Sequence, residues 1–156
     1  MTPPASEDAA PAAILRPAGP RDAEELSVLL SELGYPSAPE AVVRRISACA
    51  DVPGLSIVVA TMDERIVGVV AVHCVPTLIS DAALGRITAL VVADEMRGRG
   101  IGRQLVEEAE AFARKQGCER MELTSGDHRP GAHAFYVRLG YAVEARRFIK
   151  HGLGER

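Results

Sequence analysis

The segment from Gly85 to Gly117 constrains this chain more than any other. Gly85–Ala93 (GRITALVVA) is apolar at nearly every position in its second half, which suits a strand buried on both faces. The glycine-rich run Arg97-Gly98-Arg99-Gly100-Ile101-Gly102 follows, and then Gly100 to Gln116 reads as a helix. Ile101, Leu105, Ala109, Phe112 and Ala113 recur at helical spacing, while Glu107, Glu108, Glu110, Arg114 and Lys115 lie mostly off that stripe. Lys115 and Gly117 suit a helix C-terminus. A buried strand feeding an amphipathic helix requires a sheet with helices packed on it, so the class is α/β.

The remaining segments extend that reading. Residues 12–17 suit a strand, Asp22 a helix N-cap, and Leu26, Leu29, Leu30 and Leu33 a helix stopped by Gly34. A second helix is expected over 39–50. Residues 55–61 and 66–75 are β-branched and apolar around the polar turn 62–65, a hairpin pattern. Residues 78–83 read as a loop, 118–124 as a strand and 125–129 as a polar loop. Pro130 opens a helix running to Leu139, with Gly140 as its stop. Residues 141–143 and 147–150 are expected to add two last strand segments. With no repeat or internal linker, residues 12–156 read as one mixed α/β domain behind a disordered tail, 1–11, rich in Pro and Ala.

Bulk properties exclude several functions. A formal charge of −3 over 156 residues argues against a nucleic-acid binder, which needs a basic face. The longest apolar run, Ile66 to Pro76, falls short of the roughly 20 residues a membrane helix needs. Cys49, Cys74 and Cys118 form neither a paired framework nor a metal motif, so reduced thiols in a cytoplasmic protein are expected, with no metal.

The glycine run carries the chemistry. Backbone N–H groups in the first turn of a helix lack internal partners, and the macrodipole makes that end positive. Glycines remove the Cβ atoms that would hold a phosphate away, and Arg97, Arg99 and Arg103 add guanidinium groups. A pyrophosphate fits such a turn. A P-loop would need Gly-Lys-Ser or Gly-Lys-Thr, which is absent. A dinucleotide fingerprint starting at Gly98 or Gly100 would end on Arg103 or Leu105 instead of glycine.

Arg97-Gly98-Arg99-Gly100-Ile101-Gly102 resembles the R/Q-x-x-G-x-G/A signature of the GNAT superfamily of N-acetyltransferases, which lies between the fourth strand and third helix. Ala134-Phe135-Tyr136-Val137-Arg138-Leu139-Gly140-Tyr141 resembles that family's second landmark, F-Y-x-x-L-G-F/Y, and the likeness spans about residues 12–151. The resemblance implies a GNAT fold: a mixed central sheet of six or seven strands splayed between strands 4 and 5, with about four helices. It implies acetyl-CoA as cosubstrate, with Leu90, Val91 and Val92 offering backbone groups to its arm. Residues Arg97, Gly98, Arg99, Gly100, Ile101, Gly102 and Arg103 would hold the pyrophosphate. The implied partner is a small-molecule amine rather than nucleic acid or membrane, and a homodimer is left open.

Acetyl transfer by direct attack, through a tetrahedral intermediate, needs a neutral amine, a stabilised oxyanion and a protonated thiolate. The resemblance makes Tyr136 the acid; its helical stripe alone would favour a core tyrosine with its hydroxyl hydrogen-bonded. Glutamates that many relatives carry at the start of the fourth strand, or a carboxylate just before Leu-Val-Val, are replaced here by Arg86 and Ala89. An alkylammonium is only about one part in a thousand neutral at pH 7, so a base matters. His73 is the leading substitute, against a buried structural histidine; Asp81 and His133 follow, and water is the remaining option. Gly126 stands where some relatives carry an asparagine that holds the pantetheine. Arg86 would favour an acceptor that also bears a phosphonate or carboxylate, a partial likeness to aminoalkylphosphonate N-acetyltransferases. The alternative to an enzyme is a weak or inactive coenzyme A-binding sensor or assembly module.

Overall fold

Gly34 ends the first helix as the sequence predicts, with a left-handed backbone (φ 100°) and its N–H returned to the carbonyls of Leu30 and Ser31. This is a computed structural model, and it describes residues 12–125 and 130–154. The expected tail, 1–11, and Gly126 lie outside the described residues. The chain divides after Thr124 into two compact units.

In the first unit β1 (Ile14–Pro17) precedes α1 (Ala23–Leu33) and α2 (Pro39–Ala50). Then come β2 (Leu55–Met62), β3 (Arg65–Thr77), β4 (Ser80–Val92), α3 (Ile101–Lys115) and β5 (Cys118–Glu122). The five strands lie in sequence order, antiparallel except for the parallel β4–β5 pair. The β2–β3 turn closes through Asp63 and Glu64, both left-handed (φ 49° and 63°), the backbone a tight hairpin demands.

Each face of the sheet has its own core. Leu26 and Leu29 of α1 and Val42 and Ile46 of α2 pack with Val59, Val69 and Val91. On the opposite face α3 buries Ile101, Leu105, Val106, Ala109 and Ala113. A Cβ placed on Gly68 of β3 would press on Leu105 and Ile101, at 3.0 and 3.4 Å, so this glycine lets helix and strand approach. Val69, the next residue along the strand, points to the other face.

Several expectations need correction. Residues 78–83 are not a loop: only Leu78 and Ile79 form the turn, and β4 begins at Ser80 opposite Thr77. The ribbon projects past the packed core, so burial leaves no pattern there for the sequence to show. The sheet has five strands rather than six or seven, because residues 141–150 form no strand among the described residues. Val143 and Phe148 are almost fully exposed, and β-propensity alone does not make a strand. The second unit consists of α4 (Pro130–Arg138), ended by left-handed Gly140, and irregular chain.

Asp22 also departs from expectation. It has helical backbone angles and makes no side-chain cap bond. Its buried carboxylate instead accepts two hydrogen bonds from the Arg16 guanidinium, at 2.9 and 2.8 Å, and one from the Gly19 N–H at 2.8 Å. The Arg16 hydrogen bonds outweigh burial and hold the carboxyl below the usual carboxylate range. A folded-state pKa below the unfolded value gives stability that is present above the unfolded pKa and fades as pH falls through the folded one. Asp22→Asn is therefore expected to cost about 2–3 kcal/mol at pH 7. Urea melts should show the gap to the parent narrowing once pH drops below the ordinary carboxyl value of 3.8. A gap independent of pH would mean that the charge contributes nothing.

Candidate active site

After Val92 the chain makes a short 3-10 turn, Asp94–Met96, before the glycine run. The turn is fastened on both sides: the Ala93 N–H donates to the Val67 carbonyl at 2.8 Å, and the Asp94 N–H to the Glu32 carboxylate at 3.2 Å. Gly98 and Gly100 are both left-handed, φ 78° and 81°, which β-carbon-bearing residues resist. A Cβ at either position would meet nothing within 4 Å. Glycine is needed there for backbone shape and for the open space in front of α3, and no contact within the fold demands it.

Gln104 donates to the Gly100 carbonyl at 3.1 Å, so the amides of Ile101, Gly102 and Arg103 precede the helical ladder. Arg97 pairs with Asp94 at 2.8 Å, while Arg99 and Arg103 are exposed. The donor set is backbone N–H groups plus guanidinium at a positive helix end, with open space before the glycines. It fits a diphosphate.

Leu90, Val91 and Val92 stand opposite Val70, Val69 and Gly68 of β3. Val91 spends its side chain on the core, so its backbone is what remains for a ligand. On the other side of β4 the parallel ladder pairs Ala83–Arg86 with β5 and stops at Arg86–Glu122. Among the described residues Ile87–Val92 have no partner on that side, leaving an open backbone edge that leads to the glycine turn.

Two features at the closed end of this fork escape sequence reasoning. Ala71 opposes Ala89 while Val72 opposes Ile87, so Thr88 is an extra residue: a β-bulge in β4. Its one trace in the sequence is a polar residue inside an apolar strand. The second feature is a row across three strands. His73 opposes Arg86, and Arg86 opposes Glu122. The Arg86 guanidinium donates to Glu122 Oε1 at 2.6 Å and to Thr124 Oγ1 at 2.8 Å. The site thus has a carboxylate, supplied by β5 rather than by the β4 positions that lack one.

His73 is half-buried in this row. Asp81 is exposed near the start of β4, about 17 Å along the strand from Arg86, and does not share the row. Tyr136 and His133 belong to the second unit, on α4. There Tyr136 packs edge-on against Phe135 and Tyr141, with ring centres 5.1 and 5.9 Å apart. Cys74 is buried, and burial, with the neighbouring Cys118 thiol, pushes its thiol up to about 12, too high for an acyl-accepting nucleophile at neutral pH. A cavity of about 260 Å³ lies elsewhere, lined by Pro17, Ala18, Ile46, Cys49, Leu55 and Ile57 among others. Among the described residues no helix is long and apolar enough to cross a membrane.

Comparison with known proteins finds relatives along most of the chain. The acetyltransferase (GNAT) family matches residues 23–141. The aminoalkylphosphonate N-acetyltransferase of Salmonella typhimurium is 32% identical over 149 residues, covering 92% of this chain and 94% of that protein. The crystal structure of a transcriptional regulator from Bacillus halodurans C-125 superposes with a TM-score of 0.83 at 27% identity, over 90% of this chain and 99% of that one. A GNAT family acetyltransferase from Staphylococcus aureus shares the fold, with a TM-score of 0.76 at 24% identity, covering 90% of this chain and 99% of that one.

Proposed function

The chain belongs to the acetyltransferase (GNAT) family, and from that premise we propose that it transfers the acetyl group of acetyl-CoA to the primary amine of a small molecule by direct attack. The observation that carries this reading is the pair of left-handed glycines ahead of α3, reached along the open edge of β4. When bound, acetyl-CoA supplies the activated thioester. The amides of Gly98 through Arg103 receive its pyrophosphate, with Arg99 and Arg103 adding positive charge. The edge of Leu90–Val92 takes the arm, and N–H groups on that edge face the developing oxyanion.

Proton traffic falls to two side chains. His73 accepts the proton that the acceptor ammonium must shed, and the Tyr136 hydroxyl protonates the departing thiolate. Arg86 faces the acceptor. With the Salmonella relative named for aminoalkylphosphonates, an amine that also carries an acidic group is the acceptor class to test first.

The test is thiol release from acetyl-CoA across a panel containing 2-aminoethylphosphonate, amino acids, alkylamines and spermidine. The acid-bearing amines are expected to give the highest kcat/KM. Tight acetyl-CoA binding with no thiol release from any amine would instead identify a binding module.

A further inference from the structure

We infer that Glu122 and Arg86 together select the acceptor: the carboxylate receives the acceptor's ammonium while the guanidinium faces its acidic group. This rests on the acetyl-transfer reading above. Four observations lead to it.

The first is position. The open edge of β4 runs from Ile87 to Val92, about 17 Å at the usual rise per residue. An arm anchored at the glycine turn and laid along this edge ends where the β4–β5 ladder closes, at Arg86–Glu122. The second is the face. Gly85 points toward Ala113 of α3, since a Cβ there would lie 3.3 Å from it. Arg86, the next residue, therefore points to the opposite face, and His73 and Glu122, directly opposed to it, share that face.

The third observation is exposure. The Arg86 and Glu122 side chains are 39% and 42% exposed, open enough to meet a ligand. A pair so exposed adds little to stability, so the fold has small need of it. The fourth is unused bonding capacity. Arginine has five N–H donors, and two here go to Glu122 and Thr124. Among the described residues Glu122 Oε2 and the remaining guanidinium donors have no recorded partner.

Paired charges also change what the site can attract. With Glu122 at 2.6 Å, Arg86 is not a lone cation. The pair is a fixed dipole, and a dipole is matched by a compact zwitterion rather than by a bare amine or a polyamine. Thr124 holds the guanidinium from its far side and keeps the dipole oriented.

The test compares 2-aminoethylphosphonate with propylamine, which has the ammonium alone. In Glu122→Gln the KM for both amines is expected to rise roughly tenfold, with acetyl-CoA affinity, measured by calorimetry, within twofold of the parent. In Arg86→Gln the preference for 2-aminoethylphosphonate over propylamine should collapse. An active Glu122→Gln protein with unchanged KM for both amines overturns the assignment and leaves acetyl transfer standing. A parent that binds acetyl-CoA yet releases no thiol with any amine overturns the acetyl-transfer reading, and the pair's role with it.

Discussion

Replacing Tyr136 with phenylalanine is expected to lower turnover roughly 10²–10⁴-fold while leaving acetyl-CoA affinity almost unchanged. The ring is half-buried on α4 and packs edge-on with Phe135 and Tyr141, contacts that phenylalanine repeats. What the substitution removes is the hydroxyl. Without an acid the thiolate must leave unprotonated, a cost borne in the chemical step rather than in binding, so kcat falls and Kd does not. Steady-state rates on a confirmed amine, with calorimetry for acetyl-CoA and a thermal melt, separate the outcomes. If Tyr136→Phe keeps near-full turnover, Tyr136 is a packing residue. If affinity and stability fall together, the hydroxyl is structural.

What sequence reasoning reaches, and what it misses, follows from the range of the forces involved. Gly34, the α2 boundaries at Pro39 and Ala50, and the Gly98–Gly102 run are local: each depends on backbone sterics or a short periodic stripe. The apolar stripe that places Leu105 in the core is local for the same reason. Asp22 looked like a cap because caps are local, yet Arg16 takes its carboxylate from an adjacent strand. The Arg86–Glu122 contact spans 36 residues and a parallel register, which no short window contains. Thr88 leaves only a faint trace for a related reason, since a bulge is a property of two strands and not of one. The parallel register sets the Glu122 carboxylate beside Arg86, next to strand positions that lack one.

Gly100→Asp should weaken acetyl-CoA binding roughly a hundredfold relative to Gly100→Asn, and the comparison between these two variants is what gives the prediction its force. Gly100 is left-handed, so any β-carbon there is strained, and Asn and Asp tolerate that backbone better than other residues. The space beyond is open, with nothing within 4 Å of the added Cβ, so both variants should fold. They differ by a charge at nearly constant size. A carboxylate about 5 Å from a phosphate, at an effective dielectric constant near 20, opposes binding by about 3 kcal/mol. It also cancels part of the positive end of α3, adding to the loss. Because the repulsion is electrostatic and near the surface, raising salt should shrink the difference between the two variants. Calorimetry on both, at low and high salt, is the measurement. Equal affinities for folded Gly100→Asp and Gly100→Asn would mean that no phosphate sits at this turn, and the cofactor would have to be sought elsewhere on the sheet.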